Sequence, residues 1–395
     1  MRIAFLLARY GTSIIGGAEA LGRHLAYEAV RRGWDVEVWT TCATEYVTWE
    51  NMLPAGVSAE NGVVVRRFPV EPWDARDFHD LNGQIAKYID LTVSDEYRWI
   101  RSGPRSPALE AHVRSEAPSM DVVVTMPYLS PITYNASWLA VERLVIWPCL
   151  HQEMFAHMEP FRLLLESAYG VVFLSPEEAE FALMDLGLRL ERWAIAGSGV
   201  SLTQVTDETT SMYEDGSPYL LYVGRLDHGK NVALLYEFMR RYTADGGRLR
   251  LLVAGDGSCI PPDRPEISYL GAVDEEEKSR LFAGAVATCQ PSLNESFSMV
   301  LMESWLAGRP GLVWAGCDVT RGHVQRSKGG LWFENYAEFK AACDWLLDHP
   351  QLATRMGQNG NQYVRQNFAW ESVFGRFAEE LATWQKKALA QGNDR

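Results

Sequence analysis

Short apolar segments alternate with amphipathic segments along nearly the whole chain. The apolar runs are continuous and rich in Val, Ile and Leu, which is typical of strands that are buried on both faces. The segments between them repeat apolar positions with the period of a helix. This alternation predicts an α/β fold with doubly wound parallel sheets. The predicted strands are 2–8, 35–40, 62–68, 121–126, 143–148, 170–175, 192–196, 219–224, 248–254, 267–271, 285–290, 311–315 and 330–333, and the predicted helices are 18–32, 130–140, 176–186, 230–242, 274–284, 297–307, 336–347 and 351–366.

A polar stretch divides this pattern into two halves. Residues 198–218 contain no apolar run and are the predicted linker. We therefore predict an N-terminal Rossmann-like domain over 1–200, a C-terminal one over 201–370 and a terminal segment over 371–395. Sheets of this kind bind ligands at the carboxyl ends of their strands, so two facing halves would form a central cleft. Residues 73–120 fit neither pattern and are interpreted as an insertion at the rim of that cleft.

Composition narrows the class of protein. The chain has 395 residues, 47% of them hydrophobic, and this length is enough for two domains with sizeable cores. A formal net charge of -14 argues against nonspecific binding to nucleic acid or to an anionic membrane. The apolar start of the chain is short and Arg9 interrupts it, so it predicts a strand rather than a signal peptide. We see no apolar run of about 20 residues, and hence expect no membrane span. Six scattered cysteines predict reduced thiols in a cytoplasmic protein.

Two cations follow the strand predicted over 219–224. Arg225 comes directly after it, and Lys230 precedes a helix that begins near Asn231. Both side chains therefore lie at the carboxyl edge of a parallel sheet. Arginine binds phosphate through two parallel hydrogen bonds and lysine acts as a point charge, so the pair predicts a diphosphate site. The alternative is two solvated cations on a surface loop.

Two carboxylates follow a later strand at a fixed spacing. Glu295 ends a strand-to-helix loop, and Glu303 lies eight residues further on, within the helix. If most of that spacing is helical, the carboxylates lie about 10 Å apart. This separation suits two contacts with the hydroxyl groups of one extended ligand. Ser296 or Ser298 is expected to cap the helix, whose free first-turn amides would then favour a diphosphate. The alternative is an acid at the helix dipole and a half-buried glutamate.

The first half carries two weaker signals. Gly16 and Gly17 follow the first strand and would let the backbone approach a ligand closely. They do not form a Gly-x-Gly-x-x-Gly pattern, and simple turn chemistry is the alternative. His151 follows another strand end, where a neutral imidazole would orient a sugar hydroxyl or steady developing positive charge. An ordinary loop histidine is the alternative there.

The sequence does not indicate a metal site. No Asp-x-Asp follows a strand, and the eight histidines form no pair with ligand spacing. Asp74 and Asp77 are interpreted as solvated surface. Most tryptophans are expected in the core, whereas Trp73 and Trp99, in the uninterpreted insertion, are candidates for stacking on sugar rings.

Taken together, these motifs resemble the GT-B glycosyltransferases, and within them the retaining family 4, also called glycosyl transferases group 1. The resemblance spans nearly the whole chain. It is specific for the family and uninformative about the substrate. The matching parts are Gly16-Gly17-Ala18-Glu19, the His151 loop, Gly224-Arg225 with Lys230, Gly255-Asp256-Gly257, Gly271, the pair Glu295 and Glu303, and Phe368-Ala369-Trp370-Glu371.

The resemblance implies a role for each charged residue. Arg225 and Lys230 would hold the diphosphate of a nucleotide sugar. Glu303 would bind the ribose, Glu295 the hydroxyls of the donor sugar, and His151 would lie beside that sugar. On this basis His151, Glu295, Arg225 and Lys230 are the predicted catalytic residues.

The resemblance also implies contacts that depend on the backbone. Gly16 and Gly17 would approach the phosphates, and residues around Gly271 would flank the base. The start of the helix would complete the donor site through Ser298, Met299 and Val300. The segment over 371–395 would be a helix that crosses back onto the N-terminal domain. The position of the insertion at the cleft rim separately suggests a contact with the acceptor.

The predicted reaction is therefore a retaining hexosyl transfer that needs no cofactor or metal. The donor would be a UDP- or GDP-sugar, and the acceptor a glycan, a lipid-linked saccharide or a small molecule, with peripheral membrane contact allowed. Two positions depart from the family, since Ser298 replaces the usual glycine and Gln152 replaces a common aspartate. A catalytically silent GT-B partner subunit and a GT-B sugar-nucleotide epimerase remain the alternatives.

Overall fold

The computed structural model describes residues 1–14, 16–73, 75–87, 89, 91–201 and 216–393. The chain forms two compact units. The first combines Met1–Gly199 with Val373–Arg395, and the second is Val200–Ser372. Most of the predicted linker, over 202–215, lies outside the described residues.

The first unit is built around one sheet. Among the described residues, eight strands follow the order β3-β4-β2-β1-β5-β6-β7-β8, and every pair is parallel except β3 with β4. The central strands consist of buried Val, Ile, Leu, Ala and Phe, as expected for a sheet with helices on both faces. The strands are β1 (Arg2–Leu6), β2 (Asp35–Thr41), β3 (Gly56–Glu60), β4 (Val63–Phe68), β5 (Val122–Thr125), β6 (Leu144–Ile146), β7 (Gly170–Phe173) and β8 (Trp193–Ile195), and the α-helices are α1 (Gly17–Arg31), α2 (Ala75–Ala86), α3 (Val93–Ser102), α4 (Pro107–Glu116), α5 (Pro131–Ser137), α6 (Glu159–Ser167) and α7 (Pro176–Glu180).

The segment interpreted as an insertion is part of the core of this unit. It forms α2, α3 and α4, and the side chain of Trp99 on α3 is only 2% exposed. That ring stacks on Phe78 with centroids 4.9 Å apart and also contacts Phe161. The expectation that Trp99 stacks on a sugar is therefore wrong, because its faces are already covered by aromatic side chains. Trp73 is half-buried and packs edge-on against Phe78.

The first unit also contains a β-hairpin that the sequence analysis did not predict. The strands β3 and β4 are antiparallel and are joined by Asn61 and Gly62, which both have positive φ angles, 49° and 82°. Positive φ at both turn residues matches the twist of the flanking strands, and Asn-Gly is the sequence that adopts it most readily.

The C-terminal helix α14 (Trp370–Asn393) enters the first unit from Val373 onward. Its Trp384 packs directly on Gly170, where a Cβ atom would overlap the indole ring. Nearer the start of the helix, Phe377 contacts Trp147 with ring centroids 5.7 Å apart. The helix is therefore an integral layer of this unit.

The second unit is a parallel sheet with the order β11-β10-β9-β12-β13-β14 in its described part. The order reverses direction between β9 and β12. At such a reversal the crossover helices leave toward opposite faces and open a crevice at the carboxyl ends of the two strands. The strands are β9 (Tyr219–Val223), β10 (Arg250–Ala254), β11 (Ile267–Gly271), β12 (Ala287–Gln290), β13 (Gly311–Trp314) and β14 (Gly330–Phe333), and the helices are α8 (Val232–Ala244), α9 (Glu275–Gly284), α10 (Met299–Leu306), α11 (Asp318–Ser327), α12 (Tyr336–Asp348) and α13 (Pro350–Asn367).

Candidate active site

Two loops meet at the point where the second sheet reverses direction. One follows β9 and the other follows β12, and these strands are direct neighbours. The loops are bound to each other, since Leu293 N–H donates to Gly229 O at 2.9 Å and Asn231 Nδ2 donates to Pro291 O at 3.2 Å. The chain therefore brings together the two motifs that the sequence placed about 70 residues apart.

Lys230 and Glu295 form an ion pair across these loops. The distance from Lys230 Nζ to Glu295 Oε1 is 2.6 Å, and the side chains are only 21% and 11% exposed. The Ser292 hydroxyl donates to the same carboxylate oxygen at 2.9 Å. The backbone of Lys230 is fixed as well, because its N–H donates to Asp227 Oδ1 at 2.9 Å. The residue predicted to bind phosphate, Lys230, and the residue predicted to bind the sugar, Glu295, are thus in direct contact.

Arg225 is held by its backbone and leaves its side chain accessible. The Tyr222 hydroxyl donates to Arg225 O at 2.7 Å, while the guanidinium is 71% exposed and lies 3.6 Å from Asp227 Oδ2. The loop is pressed against the one after β10, where a Cβ atom on Gly255 would overlap the carbonyl oxygen of Gly224. Only glycine allows this approach, and it fixes where Arg225 leaves the sheet.

The start of α10 differs from the predicted cap. Ser298 occupies the N-cap position with φ 69° and ψ 75°, and its side chain makes no capping hydrogen bond. Its buried hydroxyl has no hydrogen-bond partner among the described residues. A left-handed backbone is one that glycine adopts readily. A normal N-cap residue has an extended backbone, and its side chain accepts hydrogen bonds from the first-turn amides, which Ser298 does not do. The first-turn residues Met299 and Val300 are half-buried.

Glu303 lies on α10 beside a cation that the sequence did not suggest. The distance from Lys278 Nζ to Glu303 Oε1 is 3.0 Å, and the Glu303 residue is 8% exposed. Burial raises the pKa of Glu303, and the charge of Lys278 opposes that rise. No motif pointed to Lys278, because the pairing joins two separate helices.

Gly271 ends β11 with φ 68°. Its carbonyl oxygen accepts a hydrogen bond from Gly255 N–H at 2.7 Å, which joins this strand end to the loop after β10. Gly271 therefore belongs to the same edge of the sheet as Arg225, Lys230 and Glu295.

The remaining predicted residues belong to the first unit. Gly16 is the N-cap residue of α1, so no side chain caps this helix. A Cβ atom added to Gly17 would meet no other atom within contact distance. Glu19, in the first turn, pairs with the buried Arg9. The charge of Glu19 reaches Cys149, where burial first of all raises the thiol pKa.

The loop that carries His151 is held by a buried carboxylate. Leu150 N–H donates to Glu178 Oε1 at 2.6 Å, and Leu174 N–H donates to Glu178 Oε2 at 2.5 Å. His151 Nδ1 is 3.8 Å from Glu153 Oε1, which accepts a hydrogen bond from the Tyr128 hydroxyl at 2.8 Å. Sequence reasoning missed Glu178, whose position two residues into a Ser-Pro helix start gave no sign of its long-range partners.

Other features concern metals, thiols and membranes. In the part of the chain that the structure describes, His, Cys, Asp and Glu side chains form no group of three or more that could hold a metal ion. Asp77 forms an exposed ion pair with Arg98, in agreement with its predicted surface position, and Asp74 lies outside the described residues.

All six cysteines are free thiols. No described helix is long and apolar enough to cross a membrane.

Comparison with known proteins gives the class of enzyme. The family described as "Glycosyl transferases group 1" matches residues 217–349, which contain Arg225, Lys230, Glu295 and Glu303. The D-inositol 3-phosphate glycosyltransferase of Xylanimonas cellulosilytica is 26% identical over 76% of this chain and 75% of its own length. That of Nocardia farcinica is 24% identical over 92% of this chain and 84% of its own length. This chain is a glycosyltransferase.

Solved structures confirm the fold of the glycosyltransferase. The sucrose-phosphate synthase of Thermosynechococcus elongatus aligns with a TM-score of 0.70 at 17% identity and covers 99% of this chain and 100% of that one. HepE of Anabaena, solved in complex with UDP and glucose, also aligns with a TM-score of 0.70 at 17% identity, covering 97% and 100%. The predicted GT-B fold of the glycosyltransferase is therefore confirmed.

Proposed function

We propose that this glycosyltransferase moves a hexosyl group from a UDP- or GDP-sugar to a saccharide, lipid-linked or small-molecule acceptor, with retention of configuration and without a metal ion. The observation that carries the proposal is the Lys230–Glu295 ion pair at the reversal point of the second sheet, next to the accessible Arg225. A cationic and an anionic group at one strand edge match a ligand that carries both phosphates and hydroxyls.

Lys230 can bind Glu295 and the diphosphate at the same time. An ammonium group has three donors, and one of them reaches Glu295 in the structure. The other donors are then available to the diphosphate while Glu295 accepts from the hydroxyls of the sugar. The ion pair would thus fix the sugar relative to the phosphate, which is the orientation that transfer requires.

Charge on the departing diphosphate would be stabilised by fixed groups. Negative charge develops as the sugar–phosphate bond breaks, and preorganised cations and amides act most strongly at that stage. Arg225 and Lys230 supply the cations, and Met299 and Val300 supply first-turn amides of α10. Because these groups already provide positive charge, no metal is needed in this scheme.

The other assignments follow the family. Glu303 would accept the ribose hydroxyls, Gly271 would border the base, and Gly16 and Gly17 would let the first unit approach the phosphates. His151 would contact the donor sugar through a loop that Glu178 holds rigid. HepE with bound UDP and glucose supports a UDP-sugar, and relatives named for D-inositol 3-phosphate support a small-molecule acceptor. The six free thiols support a cytoplasmic location.

A donor screen followed by an assay in EDTA tests the proposal. Thermal stabilisation by UDP-, GDP- and ADP-sugars would select the donor, and nuclear magnetic resonance would read the anomeric configuration of the product. We expect a retained configuration, full activity in EDTA, and loss of most activity in Lys230→Met and Glu295→Gln. A charge-assisted contact with phosphate contributes about 1.5–3 kcal/mol, so Lys230→Met should lose at least tenfold.

Lys386→Met, at an exposed position on α14, is the matched control and should retain wild-type turnover. An inverted product, an absolute need for Mg²⁺ or Mn²⁺, or near-normal turnover of Lys230→Met would each overturn the proposal.

A further inference from the structure

The contact between Lys278 and Glu303 has no part in the scheme above. Lys278 lies on α9 and Glu303 on α10, and their side chains are 14% and 10% exposed. Lys278 Nζ also pairs with Glu275 Oε2 at 2.8 Å, and Glu275 is largely in solvent. The ammonium therefore bridges a buried carboxylate and an exposed one.

A carboxylate at this depth needs a partner to stay ionised. Transfer from water favours the protonated form, and burial accordingly raises the pKa of Glu303. The charge of Glu275 raises it as well, whereas Lys278 lowers it. Burial lowers the pKa of Lys278, but the two glutamates outweigh burial and raise it, so the lysine stays charged.

Other elements supply no substitute for Lys278. The strands β12 and β13, which pack against α10, contain no charged residue. Helix α13 also packs there, and its two arginines, Arg355 and Arg365, are exposed. Among the described residues, the charges that act on the Glu303 carboxyl are those of Lys278 and Glu275.

We propose that Lys278 is a positioning residue for nucleotide recognition: it keeps the Glu303 carboxylate ionised and oriented to accept the ribose hydroxyls of the donor. The inference rests on the proposed function, which gives Glu303 that contact. Hydrogen bonds to an ionised carboxylate are about twice as strong as neutral ones, and a protonated carboxyl loses part of its capacity to accept. The charge state of Glu303 therefore controls the affinity for the nucleotide.

Affinity measured against pH separates this role from simple packing. Calorimetry would give the Kd of UDP, or of GDP if the thermal screen selects guanine, from pH 6 to pH 8.5. The proteins are wild type, Lys278→Met, Glu303→Gln and the double variant. Ionisation of the nucleotide itself cancels, because each variant is compared with wild type at the same pH.

We expect Lys278→Met to weaken binding severalfold at pH 6, because Glu303 then takes up a proton more readily, and clearly less at pH 8.5. In the Glu303→Gln background the same substitution should change Kd less than twofold, because no carboxyl remains to titrate. Lys278→Arg keeps the charge and should bind close to wild type. Lys278→Gln repeats the measurement if the methionine variant does not fold.

Three results decide the matter. Weakening that is equal at every pH, or that persists in the Glu303→Gln background, would show a packing role and overturn the proposal. Affinity unchanged in Lys278→Met at pH 6, with Glu303→Gln still weakened, would also overturn it and leave the proposed function intact. If Glu303→Gln itself leaves affinity unchanged, the ribose assignment fails, and the role of Lys278 fails with it.

Discussion

Each unit carries a buried glutamate on a helix that follows a strand, Glu178 on α7 and Glu303 on α10, but the two carboxyl groups are stabilised in different ways. In the first unit, Glu178 is 1% exposed and accepts hydrogen bonds from two backbone amides, those of Leu150 and Leu174. In the second unit, Glu303 accepts from the ammonium group of Lys278. Backbone amides cannot be removed by substituting a side chain, whereas the ammonium can.

The difference matches what each carboxylate holds in place. Glu178 ties the end of β7 to the loop that carries His151, so its partners are parts of the main chain whose positions it fixes. Glu303 is held by a side chain on another helix, and its proposed partner is a ligand. We infer that Glu178 maintains the architecture of the first unit and that Glu303 is tuned for binding.

The largest expected effect is that of Glu178→Ala. The substitution leaves two buried amides without acceptors, each costing about 1–3 kcal/mol, so the free energy of unfolding should fall by about 4 kcal/mol. Urea denaturation monitored by circular dichroism measures it. Glu180→Ala, at an exposed position on the same helix, is the control and should change stability by less than about 0.5 kcal/mol. Similar stability in the two variants would remove the proposed architectural role of Glu178.

The pair in the second unit should have a smaller effect and should couple. Lys278→Met is expected to cost about 3 kcal/mol, because Glu303 must then become protonated or remain as an unpaired buried charge. Adding Glu303→Gln to that variant should cost much less than Glu303→Gln does in wild type. The exposed pair Arg280–Glu276 on α9 is the matched control, and Glu276→Gln should stay within about 0.5 kcal/mol. Strictly additive losses in the double variant would contradict the ion-pair account.

The last expected effect is gradual, a slope in the pH dependence of stability. Burial raises the pKa of Glu178 to about 8, and the backbone amides of Leu174 and Leu150 oppose that rise. Between the ordinary value of 4.5 and about 8, the folded protein holds a proton that the unfolded chain releases. Stability from this group therefore falls as pH rises, by at most about 1.4 kcal/mol per unit. Wild type minus Glu178→Gln, measured by denaturation from pH 5 to pH 8, should show this slope. A difference that is flat or rises with pH would contradict it.

Features with local causes were predictable from the sequence. The strands are continuous runs of Val, Ile and Leu, and the donor loops follow directly from them, so Arg225, Lys230 and Glu295 were predicted at one sheet edge. Two local signals were present but were overlooked: the Asn61-Gly62 turn, and the cap of α3, where the Thr92 hydroxyl accepts from Asp95 N–H at 3.2 Å.

Features that depend on distant partners were not predictable in this way. Glu178 accepts a hydrogen bond from the amide of Leu150, which is 28 residues away in the sequence. Lys278 donates to the carboxylate of Glu303, which is 25 residues away. Neither separation follows a helix or strand period, so no pattern in the sequence marks these contacts. The serine at position 298 by itself indicated a normal cap, and the one sign of its left-handed backbone was that it replaces the usual glycine of the family.

The position of Trp384 against Gly170 has a consequence for the order in which the protein is made. The first unit takes its last layer from α14, which leaves the ribosome only after residues 200–372 have been synthesised. By that moment all the described strands of the second unit have been synthesised. The first unit still lacks the helix that covers the surface around Gly170. Although its sheet is translated first, the N-terminal unit is completed only once α14 has been made, and a nascent chain carries that apolar face until then.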